Sequence, residues 1–215
     1  EIQLKKDFLN KFIESGFPNR KQEDWKFLDI SQIIKKNISD LSYFIDYSQS
    51  NKIDRFTFID GLEHNKIIFL NGRIEKIDFS YEDKSKIEIS DESKKDISFN
   101  YENSLIDLNS AFTDKVFKIL VKKDYSLKKP LIIYHSTNNS IKSTNINLRL
   151  DFELGENSCL KLIDYFANNT TKNFINIFYN FNLEKDSILK NYKIDKFRND
   201  NLTYSFNNIE QGNNS

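Results

Sequence analysis

The chain has 215 residues, of which 38% are apolar and 14% aromatic, and its 32 basic and 32 acidic side chains cancel to a formal charge of zero. This balance excludes the overall basic field by which proteins bind nucleic acid or anionic lipid non-specifically. The single cysteine, Cys159, excludes an intramolecular disulfide and a cysteine-cluster metal site.

The first residues and the overall hydropathy bear on where the protein works. The chain contains no methionine, not even at position 1, and it ends on the polar run EQGNNS, so we expect a processed or excised piece. No signal peptide opens it, and no run approaches the roughly 18 apolar residues that span a bilayer. These features favour a cytoplasmic protein without membrane partners.

Residues 2–14 predict an amphipathic helix, because Phe8 and Phe12 recur at helical spacing with further apolar residues beside them. Gly16 and Pro18 supply the residue types that end a helix. The pattern therefore places a short helix at the start of the chain, followed by a turn.

The segment after this helix, GFPNRKQEDWKF, holds the only tryptophan, Trp25, among charged side chains. A catalytic group, a ligand platform and a packing anchor are the possible roles of this indole. Since a large ring stabilises mainly by burying its area, we interpret Trp25 as an anchor that packs under the first helix. A second short helix is predicted around residues 31–38, with Ser31 as its N-cap.

The middle of the chain predicts one hairpin and one helix. In KIIFLNGRIEKIDF, an apolar run meets Asn71-Gly72 and then an alternating run, which is the strongest short signal for a β-hairpin. Residues 80–98 are highly charged and are predicted to form a surface connection. Residues 104–114 predict a helix whose apolar side chains face the core.

In the second half of the chain the apolar period changes to two. Residues 145–154 and 175–183 alternate strictly, which predicts half-buried strands. The turns repeat as well: LGENSCLK from Leu154 matches LEKDSILK from Leu183 at an offset of 29, and VKKDYSLK from Val121 is a weaker copy at an offset of 33. Such a repeat suggests a β-helix or another solenoid, and a β-sandwich is the competing interpretation.

Four ordered segments carry a resemblance to a known family: GFPNRKQEDWKF, IIFLNGRI, LIDLNSAFTDKVFKILVKKDYSLKKPLIIYHST and LGENSCLKLIDYF. The motif residues within them are Gly16, Pro18, Arg20, Glu23, Trp25, Lys26, Asn71, Gly72, Asn109, Phe112, Pro130 and Gly155. Taken in this order, the segments resemble the N-terminal half of the SufD family of iron–sulfur cluster assembly proteins. The related SufB proteins share the same core but differ in their N-terminal segment.

The resemblance implies a mixed, mainly β fold: a right-handed parallel β-helix at residues 116–215, truncated at its C-terminal end, behind a small α/β region with helices at residues 1–115. It implies a non-catalytic scaffold subunit of a complex with a SufB-like paralogue and a SufC-like ABC ATPase. The chain itself is expected to bind no cofactor or metal, because the iron–sulfur cluster belongs to the complex. The main docking regions are expected beyond Ser215.

Two other functions remain open from the sequence. A carbohydrate-acting enzyme on a β-helix would need an outward ladder of charged residues, which Arg149, Asp151, Glu153 and Asp164 could supply. A generic β-solenoid binding module would usually show a secretion signal and a more regular repeat. The sequence contains neither a P-loop nor another glycine-rich phosphate motif, so no nucleotide site is predicted.

Three further side chains are candidates for chemistry. Cys159 stands in an alternating strand, which favours a small buried hydrophobe over a functional thiol. His64 and His135 are 71 residues apart. His135 lies near a strand end, and we interpret it as a hydrogen-bonded structural side chain rather than an iron ligand.

Overall fold

The computed structural model describes residues 2–46, 58–93, 102–113, 115–166, 172–195 and 200–215. Three α-helices lie in these ranges: α1 (Ile2–Ser15), α2 (Ile30–Asn37) and α3 (Ser104–Phe112). The strands are β1 (Asn65–Leu70), β2 (Arg73–Asp78), β3 (Ile87–Ser93), β4 (Lys115–Val121), β5 (Leu131–Ser136), β6 (Asn145–Leu154), β7 (Cys159–Phe166), β8 (Phe174–Leu183), β9 (Ile188–Asp195) and β10 (Leu202–Gln211).

The strands form two five-stranded sheets, in the orders β2-β1-β5-β7-β9 and β10-β8-β6-β4-β3. We call them the first and the second sheet. Neighbouring strands are parallel, except that β2 pairs with β1 and β3 pairs with β4 in antiparallel fashion. The predicted right-handed parallel β-helix is therefore wrong: the fold is mixed α/β, with two flat, mainly parallel sheets.

The repeat that suggested a solenoid corresponds to strand register. Val121 of β4 lies beside Leu154 of β6, and Leu154 lies beside Leu183 of β8, all within the second sheet. The offsets of 33 and 29 are thus the distances along the chain between parallel partners. A repeated turn specifies which residues become neighbours in a sheet, but it does not specify how two sheets are arranged.

The core lies between the two sheets, where inward side chains of both form one apolar cluster. Its members include Ile67, Phe69, Ile133, Leu162, Leu150, Phe152, Ile177 and Phe181. Each large side chain that is fully buried in this way contributes about 1.5–3 kcal/mol to folding. The alternation in the sequence identified the inward positions of β6 and β8 correctly.

The three helices cover the outer face of the second sheet. Their shared cluster contains Phe12, Ile30, Ile34, Ile38, Leu105, Leu108 and Phe174. Because of this cover, the prediction of half-buried strands is wrong for the first part of β8, where residues 174–179 are all buried. Alternation in the sequence indicates which side a residue faces, but it does not indicate what packs on that side.

The helix boundaries agree with the predictions to within one or two residues. For α2, however, the N-cap is Asp29 rather than Ser31: its Oδ1 accepts a hydrogen bond from the backbone N–H of Gln32 at 2.9 Å. Within the described ranges, no helix combines the length and the apolarity needed to cross a membrane.

The predicted surface connection at residues 80–98 is wrong in part. Residues 87–93 form β3, which pairs with β4 along its whole length. Residues 94–98 lie outside the described residues, as does Asp114 at the end of the predicted third helix. The division of the chain into two regions near residue 115 stays a prediction. Two strands from before this point, β1 and β3, pair with two strands from after it, β5 and β4 respectively.

Candidate functional site

The predicted hairpin at Asn71-Gly72 is confirmed. Its turn is fixed to the end of β5. Both residues have positive φ, 51° and 82°. The backbone N–H of Asn71 donates to the carbonyl of Ser136 at 2.9 Å, and the Asn71 side chain exchanges two hydrogen bonds with Asn138 at 2.9 and 3.0 Å. A Cβ on Gly72 would lie 2.7 Å from Ile146, so this turn holds the hairpin against β6 only with glycine.

Asn109 fixes α3 to the second sheet. Its side-chain Nδ2 donates to the backbone carbonyls of Leu148 on β6 and Asn176 on β8, both at 2.9 Å. Three residues on, the ring of Phe112 stacks on Tyr43 with centroids 5.2 Å apart. One buried amide therefore joins a helix to two neighbouring strands.

Gly155 and Pro130 lie at turns between strands. A Cβ on Gly155 would lie 2.6 Å from the backbone nitrogen of Lys123, so glycine allows the turn after β6 to approach the turn after β4. Its N–H donates to the carbonyl of Val121 at 2.9 Å. The carbonyl of Pro130 accepts from the N–H of Asn65 at 2.9 Å, where β5 and β1 begin side by side.

The first motif segment closes α1. Gly16 has a φ of +67°, and its N–H donates to the carbonyl of Phe12 at 2.7 Å, which ends the helix. Pro18 is buried in the turn that follows, whereas Arg20 is exposed. Gly16 therefore ends the helix as predicted, and Pro18 lies beyond that end.

Trp25 is partly buried and packs at the edge of the helical cluster, whereas its role as an anchor under the first helix stays a prediction. Its ring contacts Tyr204 of β10 with centroids 5.8 Å apart. Glu23 and Lys26 beside it form an exposed ion pair at 2.7 Å. The indole is half-buried, so one part of it remains available at the surface.

A cleft of about 770 Å³ lies between the hairpin turn, β3 and the end of α3. Gly72 and Phe112 are on its border. Its walls combine exposed or half-buried apolar side chains such as Ile77 with an ion pair between Lys115 and Asp91. A hydrogen bond from Lys115 and its charge hold the pKa of Asp91 below its usual value.

Three buried polar side chains meet between the sheets: His135 of β5, Asp164 of β7 and Tyr179 of β8. The Tyr179 hydroxyl donates to Oδ1 of Asp164 at 2.5 Å, and Nε2 of His135 lies 3.1 Å from the same oxygen. The His135 ring is stacked between Phe69 and Phe166. Burial, reinforced by Asp164, raises the pKa of Tyr179 well above its usual value, so the hydroxyl remains a donor.

The other candidates for chemistry lie apart from this cluster. Cys159 is a free thiol at the start of β7 and is half-buried, so its interpretation as a buried hydrophobe holds only in part. His64 donates from Nδ1 to the carbonyl of Leu62 at 2.6 Å and accepts at Nε2 from the Tyr134 hydroxyl at 2.8 Å. His135 is hydrogen-bonded, as predicted, and it is also buried.

The structure does not bring together the four residues considered for carbohydrate chemistry. Asp164 lies between the sheets, whereas Arg149, Asp151 and Glu153 lie on the outer face of β6. Arg149 is 1% exposed, with its guanidinium 4.9 Å from the Phe178 ring centroid and its Nε 3.4 Å from Asp151. Burial lowers the pKa of Arg149 and raises that of Asp151, and their mutual attraction opposes both shifts.

No pattern in the sequence predicted a second buried carboxylate, Glu82, in the charged stretch between β2 and β3. It accepts hydrogen bonds from the Asn65 side chain at 2.8 Å, the Tyr125 hydroxyl at 2.7 Å, and the backbone N–H groups of Lys128 and Lys129 at 3.1 Å each. Burial alone would raise the pKa of Glu82, but these hydrogen bonds outweigh it and lower the pKa.

Among the residues that the structure describes, no three His, Cys, Asp or Glu side chains are grouped so that they could hold a metal ion. Comparison of the chain with protein-family models and with curated proteins found no match. The function proposed below therefore depends on the motif segments and on the geometry of the residues within them.

Proposed function

We propose that this chain is a non-catalytic scaffold subunit of a SufBCD-type complex for iron–sulfur cluster assembly. Its partners in this proposal are a SufB-like paralogue and a SufC-like ABC ATPase, and the complex works in the cytoplasm. The proposal rests first on the four ordered segments that resemble the SufD family.

The observation that supports it best is the position of the motif residues. Asn71, Gly72, Asn109 and Gly155 each fix one element to another through buried hydrogen bonds or a close backbone approach. A chain whose most recognisable residues fix the relative positions of its elements is suited to present a rigid surface to partners. Rigid partners bind with a smaller loss of conformational freedom.

The cluster is the cargo of this complex rather than a resident cofactor of the chain. Protein-bound iron–sulfur clusters are held mainly by several cysteine thiolates. The chain has only Cys159 and could supply a single thiolate. In the proposal the partner subunits therefore provide most of the cluster ligands, and this chain positions those subunits.

Reconstitution with purified partners tests the proposal. The tagged chain would be mixed with the SufB-like and SufC-like proteins of the same organism, and complexes would be separated by size-exclusion chromatography and identified by mass spectrometry. We expect the chain to elute with at least one partner through its own rigid surface, in addition to the main docking regions expected beyond Ser215. The Gly72→Val variant, which displaces the hairpin from Ile146, is the matched comparison and should be retained more weakly.

A longer form of the chain distinguishes two reasons for failure. If the longer form binds the partners and residues 1–215 do not, the docking surface lies outside this segment and the assignment stands. If neither form binds either protein, the assignment to this complex is wrong.

A further inference from the structure

The cleft of about 770 Å³ lies where the two sheets end in the edge strands β2 and β3, and the end of α3 forms its third wall. Sites for small molecules in proteins are clefts of about 300–1,000 Å³, with mainly apolar walls and a few polar groups that orient the ligand. The cleft is therefore large enough to hold one small organic molecule.

The apolar walls of the cleft belong to the inner faces of the two sheets. Strand pairing places Ile77 beside Ile67 and Ile89 beside Ile119, and the partners Ile67 and Ile119 lie in the core between the sheets. Ile77 is nevertheless 43% exposed. The apolar surface of the core thus continues to this edge and lies open in the cleft.

The opposite edge of the two sheets, at β9 and β10, gives an independent comparison. Most inward positions there carry polar side chains: Asn191 lies beside Leu162, and Ser205 lies beside Ile177. Polar residues suit an edge that faces water, because apolar area that stays exposed contributes nothing to folding. The isoleucines of the β2–β3 edge therefore indicate a surface that a bound molecule covers.

Three charged side chains with exposed surface line the same cleft, namely Arg73, Asp91 and Lys115. Lys115 forms an ion pair with Asp91, and it holds the pKa of that carboxyl below its usual value, so both groups remain charged at neutral pH. Since this pair cancels, Arg73 gives these three side chains a net positive charge. A guanidinium matches the planar geometry of a carboxylate, to which it can donate two parallel hydrogen bonds.

We propose that this cleft binds a small amphipathic anion of the fatty-acid class. Its apolar chain would pack against Ile77 and Ile89, and its carboxylate would lie toward Arg73. The ligand would contact both sheets, so binding should stabilise the fold by mass action. This inference goes beyond the scaffold function and does not depend on the iron–sulfur assignment.

Decanoate, used below its micellar concentration, is the probe that tests the inference. Isothermal calorimetry would measure its affinity for the whole chain, and circular dichroism would follow thermal unfolding with and without it. We expect saturable binding and a rise in the melting temperature. Decanol and decylammonium have the same chain length but carry no charge or the opposite charge, and both should bind more weakly than decanoate.

The Arg73→Glu variant tests the position of the carboxylate. It replaces an attraction by a repulsion, so the affinity for decanoate should fall by about tenfold or more, whereas the affinity for decanol should not change. A loss of fold would instead weaken both ligands. Lys76→Glu is the matched control, because Lys76 is an exposed cation on the same strand, lies beside Ile68 on the other face and is outside the cleft.

The Ile77→Asp variant tests the apolar wall. A carboxylate at this position should weaken binding of decanoate and of decanol alike, since both lose apolar contact with the wall. Ile188→Asp is the control, because Ile188 is 50% exposed on β9 and lies outside the cleft. Circular dichroism would check the fold of each variant, and Ile77→Thr replaces Ile77→Asp if the latter is unfolded.

Three results would overturn the inference. The first is that decanoate gives neither saturable heat of binding nor a rise in melting temperature. The second is that Lys76→Glu or Ile188→Asp weakens binding as much as the cleft variants, which would indicate non-specific adsorption. The third is that decylammonium binds as tightly as decanoate, which would contradict the assignment of an anionic ligand.

Discussion

Glu82 and Asp164 are two buried carboxylates of the same fold, 8% and 4% exposed, but their hydrogen-bond donors differ. Glu82 accepts four hydrogen bonds, two of which come from consecutive backbone N–H groups of one loop. Asp164 accepts a hydrogen bond from the side chain of Tyr179, in the second sheet, and contacts the side chain of His135, in the first sheet.

The comparison shows that the origin of the donors decides what a buried carboxylate holds together. Glu82 fixes the loop before β5 against the start of β1, because its donors lie on these two segments. Asp164 connects the first sheet to the second through the interior. Both carboxylates are buried and polar, as catalytic groups often are, yet neither needs a substrate to explain its hydrogen bonds.

Removal of the inter-sheet carboxylate should have the largest effect. The Asp164→Ala variant leaves the Tyr179 hydroxyl and the His135 ring without their acceptor in the core. We expect the free energy of unfolding, measured by urea denaturation, to fall by about 3 kcal/mol. Asp40→Ala, at an exposed aspartate, is the control, and a similar small loss in both variants would contradict this role for Asp164.

The Glu82→Gln variant should have the next largest effect. The amide keeps the shape of the side chain but presents an NH₂ group where an oxygen accepted hydrogen bonds, so we expect a loss of about 2 kcal/mol in the same assay. Glu88→Gln removes only an exposed pair with Lys122 and should cost less than about 1 kcal/mol. Equal losses would mean that the four hydrogen bonds contribute little.

The Tyr179→Phe variant keeps the ring in the core and removes the hydroxyl, which donates to Asp164 and lies 3.2 Å from Nε2 of His135. We expect a loss of about 1 kcal/mol, smaller than for Asp164→Ala because the carboxylate keeps its contact with His135. Tyr192→Phe removes an exposed hydroxyl on β9 and should change stability very little. A loss for Tyr179→Phe as large as that for Asp164→Ala would show that the tyrosine is the main link.

The smallest effect concerns pH. The pKa of Glu82 is lower in the folded chain than its ordinary value of 4.5, so its contribution to stability is complete above about pH 4.5 and is lost as pH falls through the folded pKa. Between pH 7 and pH 4, we expect the wild type to lose at most about 0.8 kcal/mol more than Glu82→Gln. A difference between the two proteins that does not change with pH would contradict this.

Local elements of the fold could be predicted from the sequence. The strands at residues 145–154 and 175–183, and the hairpin at Asn71-Gly72, were predicted to within a residue, because alternation and turn chemistry depend on adjacent residues. The arrangement of the strands into two sheets depends on contacts between distant residues, and there the predicted β-helix was wrong. The repeat correctly identified parallel partners and nothing beyond them.

The sites were less predictable than the strands. His135 was correctly predicted to be hydrogen-bonded, but its partner Asp164 was assigned to an outward ladder, because alternation alone does not identify the neighbouring strand. Arg149 was expected to face outward and is covered by packing against Phe178. A groove between the end of α1 and the start of α3 brings Glu14 and Asp107 together, although no local pattern connects these two residues.

The contact of Trp25 with Tyr204 also has a consequence for the order of folding during synthesis. The two rings are 179 residues apart, and β10 lies near the C-terminal end of this chain. The apolar residues that α1 and α2 give to the helical cluster thus leave the ribosome long before β10, whose Leu202 and Tyr204 pack against that cluster. Until β10 emerges, the helical layer remains incomplete and exposes surface that chaperones recognise.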